Sequence, residues 1–326
     1  MHTQVKDLTR IGFMSVLLIA VLLQGSSFAQ APYPNKPITL VHPFMGGASD
    51  LGVREVIKDA AKELGQPINL EFKVGGSGSI AAAYVAKSAP DGYTLGITAT
   101  SNYINIPHMS DLPYNALTAT TDVIALFQNT YGLTVRTSDP WNTYEDLIAF
   151  ARKNPNRLKY ATIGAGSTQH VTMYRIGEKE GIKWIHIPFK NEGEAISACL
   201  GGHVDICTQT PIATQGQIDA GKLRVLMVLT DGRWPASPNA PNMLDKGFDF
   251  NAIGYISVIA PAGLPEPIRQ RLEVAFSKAL KSTAYAEIVK KYGLDARSIP
   301  GKAYSDLWRK QYDPSGKVIK DAGLGK

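Results

Sequence analysis

A strand, a glycine turn and a helix start between residues 38 and 64 constrain the fold more than any other stretch. Residues 38–41 form a short apolar run typical of a buried strand. Gly46 and Gly47 follow, and from position 50 apolar residues recur at helical spacing. A turn of this kind leaves backbone N–H groups free at the positive end of the helix dipole, which makes it a place to hold an anion.

The same design occurs a second time near the middle of the chain. Residues 160–163 are predicted to form a strand, Gly164 and Gly166 follow, and a helix is predicted to run through Gly177. Strands alternate with helices elsewhere, which predicts α/β layers whose ligands bind beyond the carboxyl ends of the strands. We therefore predict an α/β protein with two lobes, each a mixed or parallel sheet flanked by helices.

The lobes are predicted from the order of the strands. An apolar strand at 123–127 leaves the first unit, and a strand at 253–260 is predicted to return to it. This order predicts lobe I over 31–127 plus 252–326 and lobe II over 128–251. Two crossover strands between α/β lobes form a hinge with a cleft.

Residues 1–29 have the pattern of a secretory signal peptide. Lys6 and Arg10 precede an apolar run over 11–23, and Ser27 and Ala29 are small residues at the positions that a signal peptidase reads. We expect cleavage after Ala29 and a periplasmic location. The apolar run is too short to span a membrane.

Composition and motifs exclude several classes of function. The net charge is +6 and there is no basic run, so nucleic acid is not an expected partner. The chain has no phosphate-binding loop, no nucleophile elbow and no metal-ligand spacing of its six histidines, so we predict no enzyme activity, cofactor or metal. Cys199 and Cys207 could pair in an oxidising compartment or be two unpaired core residues.

The chemistry that the sequence does offer is hydrogen-bond donation from both turns. One lobe offers backbone N–H groups of residues 46–49 and the side chains of Ser101 and Asn102. The other offers N–H groups and hydroxyls of residues 166–169. Two such donor sets facing across a cleft suit a ligand with two anionic ends, so a dicarboxylate is favoured.

These residues resemble a known family. The sequence is similar to the Bug/TctC family, the extracytoplasmic solute receptors of tripartite tricarboxylate transporters, from Tyr33 to about Leu324. The stretches that carry the resemblance lie at 33–38, 43–50, 89–95, 158–161, 164–170, 187–190, 200–205, 220–225 and 260–263.

The resemblance implies a two-lobed clam-shell that binds carboxylates and delivers them to a membrane permease. It also implies that the glycine turn after the first strand holds one carboxylate, partly through ordered water. The turn at Gly164, Gly166 and Ser167 would hold the other end of the ligand.

Three departures from the family pattern fall on positions that the family uses to line its cleft. Met45 alone separates Phe44 from Gly46, one residue fewer than usual. Residues 191–192 are Asn and Glu where the family usually has Gly. Polar residues 208–210 replace a usual apolar and aromatic run. We therefore expect a ligand unusual for the family.

The predicted ligand-binding residues each have a plainer alternative. Ser167 could only cap its helix, Ser101 and Asn102 could form a solvated turn, and His170 could be satisfied behind its turn. Lys190 could be a surface lysine, Asp205 could accept from a backbone N–H, and the aromatic residues could be walls or core. The full set is Phe44, Gly46, Gly47, Ala48, Ser49, Ser101, Asn102, Gly166, Ser167, Thr168, Gln169, His170, Phe189, Lys190 and Asp205.

The sequence therefore predicts a monomeric periplasmic receptor that binds a small carboxylate, closes by a hinge and delivers the ligand to membrane permease subunits. A sensor kinase is the alternative partner for the closed receptor. A secreted hydrolase is a third possibility, but it would need a nucleophile–base pair that the sequence does not offer.

Overall fold

A computed structural model describes residues 33–234 and 237–326. The predicted signal peptide at 1–29 lies outside the described residues. No helix in the described ranges combines the length and apolar character that a membrane crossing needs.

The first sheet has six strands in the order β11-β4-β10-β3-β1-β2. Strands β1, β2 and β3 are parallel, whereas β10 runs antiparallel to both β3 and β4. The sheet is therefore mixed, with its parallel part formed by the first three strands of the chain. The strands are β1 Ile38–His42, β2 Ile68–Phe72, β3 Thr94–Ala99, β4 Thr120–Gln128, β10 Tyr255–Pro261 and β11 Ile299–Pro300.

The second sheet has five strands in the order β7-β6-β8-β5-β9. Strand β6 is parallel to β7 and β8, and β5 is antiparallel to β8 and β9. This sheet is also mixed. The strands are β5 Gly132–Arg136, β6 Lys159–Thr162, β7 Ile185–Pro188, β8 Ile206–Cys207 and β9 Leu223–Val228.

Helices follow the strands as the sequence periodicity predicts. Helix α1 begins at Gly47, three residues before the predicted start, and ends before Gly65 in the left-handed conformation. Helix α5 begins at a capping box of Thr143 and Asp146. The helices are α1 Gly47–Leu64, α2 Ser79–Ala86, α3 Ser101–Ile104, α4 Ile106–Met109, α5 Tyr144–Lys153, α6 Thr168–Glu180, α7 Glu192–Leu200, α8 Pro211–Asp219, α9 Glu266–Ala279, α10 Thr283–Tyr292 and α11 Gly301–Asp321, with a 3-10 helix at Gly76–Gly78.

The chain passes from the first sheet to the second after β4 and returns before β10. The connecting segments bond to each other: Asn129 N–H donates to the Gly254 carbonyl at 3.0 Å, and Leu229 N–H donates to the Tyr131 carbonyl at 2.8 Å. The predicted lobe limit at 251/252 falls on a connecting segment, and the limit at 127/128 falls one residue before the end of β4. Both limits stay a prediction.

The two cysteines are buried and unpaired. Cys207 Sγ lies 2.9 Å from Thr134 Oγ1, on the antiparallel pair of β5 and β8. Both cysteines pack with Ala195 and Ile196 of helix α7 in the core of the second lobe.

A buried carboxylate lies in the core of the first lobe. Asp122 accepts hydrogen bonds from Tyr103 Oη and Trp308 Nε1, each at 2.8 Å. The Tyr103 and Trp308 rings are stacked with centroids 4.3 Å apart. Burial raises the pKa of Asp122 to about 6, although these hydrogen bonds oppose the shift.

We expect Asp122→Asn to remove a pH dependence from stability. The pKa of Asp122 is higher in the folded protein than in the unfolded chain, so the folded state binds the proton more tightly. Asp122 should therefore contribute a fall in the free energy of unfolding as pH rises from 4 to 6, by on the order of 2–3 kcal/mol, which is the difference between the pH profiles of the wild type and Asp122→Asn. Urea unfolding at four pH values between 4 and 7 measures this slope.

The exposed Asp111 provides the control, because Asp111→Asn should leave the wild-type slope unchanged. Equal slopes for the wild type and Asp122→Asn would contradict the assignment.

Candidate functional site

The carboxyl edges of the two parallel strand sets face each other. On the first sheet, α1 follows β1, the 3-10 helix follows β2 and α3 follows β3. On the second, α6 follows β6, α7 follows β7, and residues 208–210 follow β8. Asn105 Nδ2 donates across the gap to the Gly166 carbonyl at 3.0 Å. We call the space between the two edges, bounded by Gly47, Asn102, Gly166 and Thr210, the cleft.

The first turn already has an acceptor of its own. Gly46 N–H donates to Asp50 Oδ2 at 2.9 Å, and Arg54 Nε donates to Asp50 Oδ1 at 2.7 Å. Gly47 has φ +75°, a conformation that only glycine adopts without cost. Ala48 follows Gly47 in the first turn of α1. One predicted donor, the N–H of Gly46, is therefore occupied by the protein itself.

Asn129 connects the start of α1 to the crossover between the sheets. Its Nδ2 donates to Ser49 Oγ at 3.2 Å and lies 3.3 Å from Tyr131 Oη. Its buried Oδ1 has no partner among the described residues. Both partners of Nδ2 are hydroxyls, which can donate as well as accept, so they do not fix which way the amide faces. One atom of this amide is thereby left unpartnered at the junction between the sheets.

Ser101 and Asn102 are buried rather than part of a solvated turn. Asn102 is 2% exposed, and its Nδ2 donates to the Ser77 carbonyl at 3.1 Å. Its Oδ1 is buried without a partner in the described chain. Phe44 is half-buried and its N–H donates to His42 Nδ1 at 3.0 Å, so its backbone is satisfied within the first lobe.

The second turn is arranged around His170. Gly166 N–H donates to His170 Nδ1 at 3.1 Å, and His170 N–H donates to Ser167 Oγ at 3.3 Å. The structure therefore gives Ser167 the role of a helix cap and His170 the role of an acceptor behind the turn. Gln169 is 1% exposed, and its Nε2 has no described partner. Thr168 Oγ1 lies 3.5 Å from the Ile253 carbonyl.

The imidazole of His170 is uncharged near neutral pH. It stacks on His186 with ring centroids 3.7 Å apart, and His186 Nε2 lies 2.7 Å from Thr162 Oγ1. Burial lowers the pKa of His170 to about 4 and the pKa of His186 to about 3. The turn at 164–167 therefore gains no positive charge from these histidines.

Three predicted residues are not brought into the cleft. Asp205 precedes β8 and accepts from Lys159 N–H at 2.8 Å, at the start of the parallel strand β6. It therefore lies at the opposite edge of the sheet, and its prediction as a ligand-binding residue is wrong. Lys190 is exposed, with its N–H 3.4 Å from Glu194 Oε2. Phe189 packs on the core of the second lobe.

Glu192 is a cleft residue that the candidate set does not contain. It begins α7, yet its Oε2 lies 2.9 Å from the position that a Cβ on Gly47 would take. Its Oε1 accepts from Thr210 N–H at 2.9 Å, and its Oε2 accepts from Thr210 Oγ1 at 3.0 Å. The departures at residues 191–192 and 208–210 were the sequence signal for these positions.

The described residues contain no cluster of His, Cys, Asp and Glu that could hold a metal ion. Two surface pockets lie elsewhere, one beside residues 107–117 and one beside the start of α5. Neither is lined by a predicted ligand-binding residue. The cleft is therefore the candidate site.

We expect Gly166→Ala to destabilise the contact between the lobes. Gly166 has φ +75°, and an added Cβ would lie 2.7 Å from both Ile106 Cδ1 and Met109 Sδ of the first lobe. The expected loss is the backbone cost of about 1–2 kcal/mol plus a smaller overpacking cost, because Ile106 Cδ1 and Met109 Sδ belong to the outer parts of flexible side chains that can shift. Urea unfolding measures the sum of these two costs as a loss in the free energy of unfolding.

Gly202→Ala is the matched control, because Gly202 also has φ +75° but nothing lies within 4 Å of its added Cβ. Equal losses for the two variants would mean that the lobes do not press on Gly166 in solution.

Comparison with known proteins agrees with this architecture. The profile described as "Tripartite tricarboxylate transporter family receptor" matches residues 53–324. A UPF0065 protein of Cupriavidus necator is 31% identical over 295 residues, covering 90% of each chain.

Solved structures of similar fold include periplasmic binding protein BugD, at 25% identity and a TM-score of 0.79 over 90% of this chain and 100% of that one. A Rhodopseudomonas palustris protein with adipate has 26% identity and a TM-score of 0.81, over 90% and 99%. MatC from the same organism, with bound malate, has 25% identity and a TM-score of 0.78, over 88% and 100%.

The predicted two-lobed fold and the Bug/TctC resemblance are confirmed by these matches. The matching proteins are receptors of transporters rather than enzymes. This chain belongs to the tripartite tricarboxylate transporter family of receptors.

Proposed function

We propose that the protein is an exported receptor that binds a small organic carboxylate in the cleft and delivers it to the membrane permease of a tripartite transporter. The observation that carries the proposal is the meeting of two helix starts and several buried, unpartnered polar atoms between the lobes. Buried polar groups without partners cost free energy, so a polar ligand that completes them gains affinity.

The start of α6 is the stronger half of this site for an anion. Two backbone N–H groups at this helix start donate to acceptors of the protein, and both acceptors, Ser167 Oγ and His170 Nδ1, are neutral. The helix dipole and the unpartnered Gln169 Nε2 favour a carboxylate there. Charge-assisted hydrogen bonds contribute about 1.5–3 kcal/mol each, so four or five at the upper end of this range, less the cost of ordering, reach the roughly −8 kcal/mol of a micromolar ligand.

The neighbours with adipate and malate support a carboxylate and agree with the dicarboxylate that the sequence favours. The start of α1 is less suited to the second carboxylate, because Asp50 and Glu192 already place two protein carboxylates there. The proposal therefore depends on one carboxylate at the start of α6. The identity of the other end is taken up in the next subsection.

We assign ligand contact to residues at both helix starts and to the buried side chains between them. Closure would occur about the connecting segments, which bond to each other between the sheets. The proposed ligand-binding residues are Gly47, Ser49, Ser101, Asn102, Ser167, Thr168, Gln169, Glu192 and Thr210.

Delivery to a permease is the use that the family description supports. The closed receptor could instead dock on a sensor kinase, with the ligand bound in the same cleft. Ligand-dependent pull-down of membrane proteins distinguishes a permease partner from a sensor-kinase partner. We propose that the receptor acts as a monomer.

Export requires removal of the leader. We propose cleavage after Ala29, which would leave Gln30 as the first residue of the mature chain. The mass of the protein recovered from the periplasmic fraction measures this. A mass that retains residues 1–29 would contradict it.

We expect Ser167→Asp to abolish ligand-induced stabilisation while leaving the fold intact. Asp is as good a helix cap as Ser, but its charge would repel a ligand carboxylate at the start of α6. A carboxylate at 100 times its dissociation constant should stabilise the wild type by about 2.7 kcal/mol. Thermal unfolding against a carboxylate library that includes adipate and malate measures the shift.

Thr143→Asp is the control, because Thr143 caps α5 on the surface and faces no cleft residue. It should respond to ligands as the wild type does. A library that shifts no melting temperature would count against the receptor function, and equal shifts for both variants would move the carboxylate away from α6.

A further inference from the structure

The carboxylate of Glu192 reaches across the cleft from α7 to the start of α1. Its Oε2 lies 2.9 Å from the position of a Cβ on Gly47, while both oxygens accept from Thr210. Thr210 holds the carboxylate by its backbone N–H and its hydroxyl, so the side chain is fixed in position. It points at the turn that the sequence assigned to one end of a ligand.

No cation neutralises this carboxylate. Among the described residues, no Lys, Arg or His side chain lies within salt-bridge distance of Glu192, whereas Asp50 on the same side of the cleft is paired with Arg54. Burial raises the pKa of Glu192, and the hydrogen bonds from Thr210 oppose the shift. A half-buried carboxylate without a cation is costly, and a ligand that brings a cationic or donating group would offset that cost.

Polar atoms without described partners lie around Glu192. Asn102 Oδ1 is a buried acceptor, and its amide orientation is fixed because its Nδ2 donates to the Ser77 carbonyl. Asn129 also leaves one buried amide atom without a described partner. Asn129 Nδ2 lies 3.3 Å from Tyr131 Oη. Tyr131 in turn is close enough to Glu192 to feel its charge. Glu192 and Asn102 Oδ1 therefore place acceptors in this part of the cleft, and a hydrogen-bond donor on the ligand would complete them.

The start of α6 differs because no carboxylate accepts from the turn at 164–167. Gln169 Nε2 is a buried donor without a described partner there, and the amide oxygen of Asn105 is a neutral acceptor beside it. The cleft thus has one end that suits an anion and one end that repels it. A molecule with two carboxylates would place the second one beside Glu192.

We propose that Glu192 is a specificity-determining residue, and that this receptor prefers a ligand with one carboxylate and a hydrogen-bond-donating group such as an ammonium at its other end over a dicarboxylate of equal length. The inference rests on the proposed receptor function. It departs from the dicarboxylate that the sequence alone favours.

The test uses matched probe pairs: succinate with 4-aminobutanoate, glutarate with 5-aminopentanoate, and adipate with 6-aminohexanoate. Calorimetric titration of the mature protein gives the ratio of dissociation constants within each pair. We expect at least one amino acid to bind about tenfold or more tightly than its dicarboxylate partner. A difference of this size is what one charged contact in the cleft would produce.

Glu192→Gln should reduce that ratio by about tenfold or more. The amide can still accept from Thr210 N–H and donate to Thr210 Oγ1, so the fold should not change. Glu194→Gln removes the same charge two residues away on the exposed side of α7, where Glu194 bonds to Asn191 and Lys190. This control should keep the wild-type ratio.

Three results would overturn the inference. Tighter binding of the dicarboxylate in every pair would refute the preference and leave the receptor function standing. An unchanged ratio in Glu192→Gln, or an equal loss in Glu194→Gln, would remove Glu192 as its cause. If no probe of either kind binds, the proposed function fails together with the inference.

Discussion

The first N–H groups of a helix need acceptors, and the cleft of this protein depends on which acceptors the chain itself supplies. At the start of α1 the chain supplies Asp50, whose carboxylate takes the Gly46 N–H and is neutralised by Arg54. At the start of α6 it supplies Ser167 and the neutral ring of His170. Only the second helix start is left without a negative charge, so the two halves of the cleft are chemically unequal even though the sequence gives them the same design.

The connecting segments link this inequality to the architecture. Asn129 lies where the chain leaves the first sheet, and its side chain reaches Ser49 at the start of α1 and Tyr131 on the way to the second sheet. Its backbone N–H pairs with Gly254, where the chain returns. A residue that touches the cleft is thus part of the junction between the sheets. Any rotation of one lobe on the other would have to rearrange the surroundings of the ligand.

The periodicity of apolar residues and the glycine turns were enough to predict the longer helices and the two-lobed α/β class, but not the short helices α3 and α4. Side-chain pairing was beyond their reach. A Glu at the first turn of a helix is usual on a solvated surface, because its charge suits the helix dipole. The sequence therefore marked residue 192 only as a departure from the family pattern at a cleft-lining position and not as a ligand-binding residue. Asp205 was misplaced for another reason: it precedes its strand, and in a parallel pair the residues before a strand lie at the edge away from the cleft. The sequence left two roles open for His170, contact with the ligand or a position behind the turn. Only the folded turn shows which ring nitrogen faces Gly166.

The stacked histidines have a consequence for the surroundings in which an exported receptor works. His170 and His186 both stay uncharged over the acidity range of most habitats, and the buried polar residues of the described chain include no Lys or Arg. Attraction for an anion at α6 therefore comes from oriented peptide dipoles, which have no proton to lose and are shielded from mobile ions by the closed lobes. Capture at this end of the cleft would stay nearly constant while the salinity and acidity outside the cell change.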